Sequence, residues 1–210
     1  MHMLTMSRRA LVAAALGIAL TAGAALTHAQ AQAPGRIRGQ IEKVDGAMLA
    51  FKTRDGAVLN VKVADDARVG ALEKASLADI KDDAFIGIAG MPQADGSIRA
   101  FSVHIFLPAQ RGAVADRHGA WDARTGSTMT NAYVASRVKG KDGETLTVKY
   151  KGGEKKIVVT PETAITAVAK GDRGELKAGA EVIIMRAQKQ ADGSLLAQVM
   201  YVGRGVKPAM

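Results

Sequence analysis

Asp116, His118 and Asp122 form the nearest approach to a metal-ligating cluster in this chain. Two carboxylates and an imidazole at that spacing can contribute to a hard or borderline metal site. They fall short of the four-ligand cage of a structural zinc. The same segment holds Trp121, the only tryptophan. A large apolar ring that pins the segment onto a core accounts for it without any metal. The other histidine beyond residue 31, His104, alternates with Val103 and Ile105 and is therefore expected to point away from the core, on the surface or under a loop.

A second candidate is cationic. Lys149, Lys151, Lys155 and Lys156 crowd one expected hairpin and make a basic edge suited to an anionic partner. Nucleic acid is not the expected partner, because such sites add aromatic stacking platforms to a basic groove. Tyr150 here falls on the core side of its strand.

Other chemistries have few players. There is no cysteine, which removes disulfides, thiolate metal sites and cysteine nucleophiles together. Methionines such as Met48, Met91, Met129, Met185 and Met200 suit Cu(I) by ligand softness, but they are dispersed and better explained by packing. Asp65-Asp66 and Asp82-Asp83 are neighbours in extended chain, so their side chains point to opposite sides and cannot serve one substrate as acid and base. No phosphate-binding glycine loop, His-Glu-x-x-His helix or Gly-x-Ser-x-Gly elbow occurs. The residues point away from an enzyme and imply no cofactor.

The elements that must position these residues occur twice. Gln93-Ala94-Asp95-Gly96-Ser97 returns as Gln190-Ala191-Asp192-Gly193-Ser194, 97 residues later. Asp-Gly between apolar runs marks a hairpin. The first copy predicts strands at Arg36–Val44, Met48–Thr53, Ala57–Val63, Phe85–Met91 and Ile98–Phe106. Alternation is clear where Leu49, Phe51 and Thr53 share one side and Leu59, Val61 and Val63 another. Ser76 and Asp79 have the spacing of a capping box and predict a short helical turn. The second copy repeats the order: Leu146 and Val148 replace Leu49 and Phe51, Asp172 and Glu175 replace the cap, and Val182 and Ile184 replace Ile86 and Ile88.

Five strands with a turn of helix between the third and fourth predict an all-β chain of two tandem five-stranded OB-like barrels, at residues 36–106 and 134–203. Closure would remove exposed sheet edges. Residues 107–133 read as an inter-domain linker, and 204–210 as a C-terminal tail. Hydrophobic residues at 48% supply ample core, while 4% aromatics and 23 glycines suit short strands and tight turns.

Residues 1–31 have the form of a signal peptide: Arg8 and Arg9, an apolar run from Ala10, and small residues with cleavage after Ala29 or Ala31. Ser7-Arg8-Arg9-Ala10-Leu11-Val12 also resembles a twin-arginine signal. A periplasmic or secreted protein is expected, with no membrane span in the mature chain. Removing the two leader arginines from 29 basic residues leaves 27 against 20 acidic. Residues 36–106 are neutral and residues 134–210 carry the excess, so the second repeat is the half expected to attract anions.

The leader, the Leu176-Lys177-Ala178-Gly179 step before an apolar strand, the Asp-Gly hairpin, the segment Gly126–Ala132 and the run Tyr150–Val159 resemble a family of exported bacterial proteins of unknown function built on small OB-like barrels. Some members are labelled as metal-transporter components. The resemblance implies fold and compartment and carries no catalytic residues. The function expected is a non-catalytic binding or interaction module, engaging anionic envelope components or another exported protein through the basic second barrel. The alternative is a periplasmic accessory metal-binding protein centred on Asp116, His118 and Asp122.

Overall fold

The computed structural model describes residues 35–141 and 143–209; the expected signal peptide lies outside them. The fold is all-β. The first repeat supplies β1 (Ile37–Asp45), β2 (Met48–Thr53), β3 (Val58–Lys74), β4 (Phe85–Pro92) and β5 (Ile98–Ile105). A short β6 (Arg117–Ala120) follows. The second repeat supplies β7 (Thr128–Gly140), β8 (Gly143–Tyr150), β9 (Gly153–Val159), β10 (Ala164–Lys170), β11 (Glu181–Lys189) and β12 (Leu195–Arg204). Among the described residues, no helix is long and apolar enough to cross a membrane.

Local chemistry places the turns as expected. Asp95 accepts from the amide and hydroxyl of Ser97 at 3.0 and 2.7 Å, and Asp192 does the same for Ser194 at 2.9 and 2.7 Å. Gly96 and Gly193 take φ of +80° and +84°, which only glycine adopts without strain. The helical turns are single 3-10 turns, Leu77–Asp79 and Arg173–Glu175. Asp79 Oδ2 accepts from both the amide and the hydroxyl of Ser76. Glu175 accepts from the amide of Asp172, whose carboxylate in turn accepts from Gly174 N at 2.7 Å.

The closure of the strands departs from the tandem arrangement. β1, β2 and β3 form an antiparallel meander, but the ring is completed by β12, parallel to β3, and by β11, antiparallel to β12 and β1. The second ring is β7, β8 and β9, completed by β5, parallel to β9, and by β4, antiparallel to β5 and β7. Each repeat therefore gives its last hairpin to the other repeat's meander. Residues 36–106 and 134–203 are sequence repeats, and neither one is a closed barrel by itself. The physical reason lies in the duplication: both hairpins present the same apolar pattern, so each fits either meander.

Two cores follow. Ile41, Leu49, Phe51, Val61 and Val63 meet Val182, Ile184, Leu195, Met200 and Val202 in the first ring. Ile86, Ile88, Ile98 and Val103 meet Val134, Leu146, Val148, Ile157 and Val159 in the second. Between them, β10 pairs antiparallel with the second half of β3 and parallel with β5. Leu72, Val168 and Ile183 form a third small cluster there, with Phe106, Trp121, Met185 and Tyr201 packed against it.

Two expected boundaries also move. β3 runs on from Val63 to Lys74, because Ala71 and Leu72 continue the buried pattern past the polar Asp65-Asp66 pair. The linker expected at 107–133 contains β6 and the start of β7, which pair with each other and carry β7 on to β4.

Candidate functional site

A concavity of about 600 Å³ opens against the third cluster, with residues of both rings on its walls. That size is within the range of small-molecule sites. Two rows of paired residues build its walls, because directly opposed residues on adjacent strands project to the same face.

The first row crosses β3, β12 and β11: Arg68 opposes Val199, and Val199 opposes Arg186. Two guanidinium groups thus flank one valine. Arg186 follows a register shift in β11 at the position where Gly90 ends a shift in β4. Next along β12, Tyr201 opposes Gly70, and a Cβ on Gly70 would lie 2.5 Å from the Tyr201 ring. The missing side chain lets that ring lie flat on the strand.

The second row crosses β6, β7, β4, β5 and β10: Arg117, Asn131, Gly87, His104 and Thr166 oppose one another in turn. Gly87 leaves room for the Phe106 ring and the Asn131 side chain, each 3.1 Å from where a Cβ would sit. His104 is only 1% exposed. Its Nδ1 is paired with Thr166 Oγ1 at 3.0 Å. Burial pushes its imidazole down to about 3, so it is neutral at ordinary pH, because charging it would require desolvating a cation.

The connection between the repeats closes the cleft. Leu107 N donates to Gln110 Oε1 at 2.9 Å and Gln110 Nε2 donates to the Tyr201 hydroxyl at 3.2 Å. Asn131 Nδ2 donates to Ala115 O at 3.2 Å. Trp121 lies half-buried under the Arg36 guanidinium, 3.7 Å from its ring centroid. Asp122 holds that arginine at 3.4 Å and Arg38 at 2.8 Å. Burial works to raise the Asp122 carboxyl, but the Arg38 hydrogen bond and the two positive charges hold it below the usual range.

His104 was expected on the surface or under a loop, and it is buried. From Ser102 on, β5 is covered on both faces, by the second core and by the inter-ring cluster. Asp116, His118 and Asp122 do not converge. Asp116 accepts from Lys151 N at 3.0 Å. His118 pairs through Nδ1 with Thr130 Oγ1 at 2.9 Å, with its ring centroid 5.9 Å from that of Tyr150. Burial first, then the charge of Lys155, lowers its pKa. Asp122 faces the start of β1. Among the described residues, no three His, Asp or Glu side chains are disposed to hold a metal.

Lys149, Lys151, Lys155 and Lys156 lie on the β8–β9 hairpin, where Lys149 opposes Glu154, and none of them lines the cleft. Met129 and Met185 do line it, while Met200 is buried in the first core. The residues that sequence reasoning passed over are Arg36, Arg68, Arg117, Lys170, Arg186 and Tyr201. One signal was available for Tyr201: it stands at the repeat position of His104, so the copies differ where the cleft is built. No family model, curated protein or solved structure matched the chain.

Proposed function

We propose that this is an exported, non-catalytic binding protein, built as two OB-like barrels with exchanged hairpins, that captures a small organic molecule in the cleft between them. The observation that carries this reading concerns unsatisfied polar atoms. Four buried side-chain nitrogen or oxygen atoms among the described residues lack a hydrogen-bond partner. Three of them, Arg36 Nε, His104 Nε2 and Trp121 Nε1, belong to residues that line the cleft. A buried polar group without a partner costs about 1–3 kcal/mol, and a ligand whose binding turns these side chains toward its acceptor oxygens relieves that cost.

Trp121 is the only tryptophan, so its fluorescence reports the cleft directly. Titration with the neutral dye N-phenyl-1-naphthylamine should give one-to-one energy transfer from Trp121. Val199→Phe, which places a ring between Arg68 and Arg186, should abolish it. Absence of transfer in the parent protein, or full transfer in V199F, would overturn the cleft reading. The metal alternative finds no geometric support in Asp116, His118 and Asp122. The basic hairpin at Lys149–Lys156 is interleaved with Glu154 and contacted by Asp116, which weakens it as an anion surface.

A further inference from the structure

We propose that the cleft selects an amphipathic organic anion: an apolar chain or ring bearing one carboxylate, sulfate or phosphate. This rests on the cleft reading and specifies its ligand. The walls divide by chemistry. Val69, Phe106, Trp121, Val168, Met185 and Val199 give an apolar surface, whereas every ionisable side chain on the wall other than His104 and Tyr201 is cationic. These are Arg36, Arg68, Arg117, Lys170 and Arg186, and no carboxylate lines the cleft.

Arg36 is partly neutralised by Asp122. Arg68, Arg117, Lys170 and Arg186 make no ion pair among the described residues, although carboxylates elsewhere pair with Arg99, Arg111, Arg137 and Arg204. The first row adds geometry. With strands about 4.8 Å apart, Arg68 and Arg186 sit roughly 9–10 Å from each other at the backbone, on either side of Val199. Two planar guanidinium forks at that separation bracket a single anionic group. The opposite wall carries one guanidinium, Arg117, in a row with the uncharged Asn131 and His104. The charged end of the ligand is thus assigned to the Arg68–Arg186 side, and its apolar body to the aromatic and methionine surface.

The cationic groups on the wall fix the sign of the ligand, and the apolar lining fixes its amphipathic character. A free inorganic anion would leave that surface wet, and a neutral hydrocarbon would leave two arginines facing each other unpaired.

The test compares dodecanoate with dodecanol on the full chain, below the micellar concentration of the acid, by Trp121 emission and by displacement of the neutral dye. Dodecanoate should bind about tenfold tighter or more, with the preference shrinking at high salt. Arg68→Gln/Arg186→Gln should shrink the preference severalfold by weakening dodecanoate far more than dodecanol, and Arg68→Lys/Arg186→Lys should retain most of it. Both positions are exposed, so the fold should survive, and thermal unfolding checks this. Equal affinity of the parent protein for acid and alcohol would overturn the anion assignment and leave the cleft reading standing. Binding of neither would overturn both. Co-sedimentation with phosphatidylglycerol vesicles, combined with no response to monomeric dodecanoate, would place the anion in a bilayer headgroup and overturn capture of a single amphiphile.

Discussion

Cutting the chain between its repeats should not separate them. The site for a specific protease belongs between Gly112 and Ala113, both exposed, in the turn after β5. Cleavage yields one fragment with β1 to β5 and another with β6 to β12. Among the described residues, six of the thirteen strand pairings join the two fragments: β1–β11, β3–β12, β3–β10, β5–β10, β4–β7 and β5–β9. The β11–β12 hairpin alone brings Val182, Ile184, Leu195, Met200 and Val202 into the first core. At about 1.5–3 kcal/mol for each large apolar side chain buried, those five contribute roughly 8–15 kcal/mol. That is comparable with the whole stability of an ordinary domain, about 5–15 kcal/mol. A meander deprived of the other repeat's hairpin is therefore expected to stay unfolded, and the nicked protein to stay whole. Size-exclusion chromatography in native buffer should show one peak at the intact size, while a denaturing gel shows two bands. The melting temperature of the nicked form should rise with concentration, since unfolding now releases two chains. Two separate folded species on the native column would refute the exchange and restore two barrels in tandem.

Three further outcomes follow from single sites. Glu144 is nearly buried, accepting from Arg137 Nε and Nη2 at 3.0 and 2.8 Å, and Arg137 also donates to the carbonyl oxygens of Leu77 and Ile80. Glu144→Gln should cost about 1–3 kcal/mol in urea unfolding by removing the charge that faces that guanidinium; Glu175→Gln, in the more exposed network around Arg204, should cost far less, and equal costs would refute the distinction. The depressed pKa of His104 means that the unfolded chain takes up a proton first, so stability falls as pH drops from about 6.5 toward 3. Between pH 7 and 5 the loss should be about 2 kcal/mol, and His104→Leu should flatten that part of the urea-midpoint profile. Gly70→Ala should displace the Tyr201 ring and break its bond with Gln110, costing about 1–3 kcal/mol and shifting Trp121 emission; an unchanged melting temperature would show that the ring moves freely.

The parts legible in the sequence were those governed by local chemistry. Leu49 and Phe51 alternate with half-exposed or exposed neighbours, so their strand could be read with its buried face. Asp95-Gly96 and Asp192-Gly193 demand turns, and the acid three residues after Ser76 and after Asp172 marks a capped turn. Partner choice between strands was not legible. The apolar residues of β4–β5 and β11–β12 are interchangeable, so alternation predicts a closed ring without saying which hairpin closes it. His104 was misplaced for a related reason: period-two logic assumes one wet face, and the second half of β5 has none. The cleft was hidden because Arg68, Arg117, Lys170 and Arg186 come from four separate strands, and only the register of β3, β6, β10 and β11 sets them around one cavity.

The antiparallel pairing of β3 with β10 has a consequence for symmetry. Ala71 opposes Ala169 and Leu72 opposes Val168, so equivalent stretches of the two repeats cross head to tail, as they would about a two-fold axis. Two separate copies of one repeat, trading hairpins across that axis, would generate the same pair of rings as an isologous dimer. Such a dimer must place the same residue at both equivalent positions of its central cavity. Joined in one chain, the positions are released from that constraint: His104 stands where its counterpart is Tyr201. The covalent link thus permits a lopsided cavity, with two arginines beside Val199 on one wall and a single arginine, Arg117, in line with the neutral His104 on the other. A one-ended molecule requires that asymmetry in its receptor.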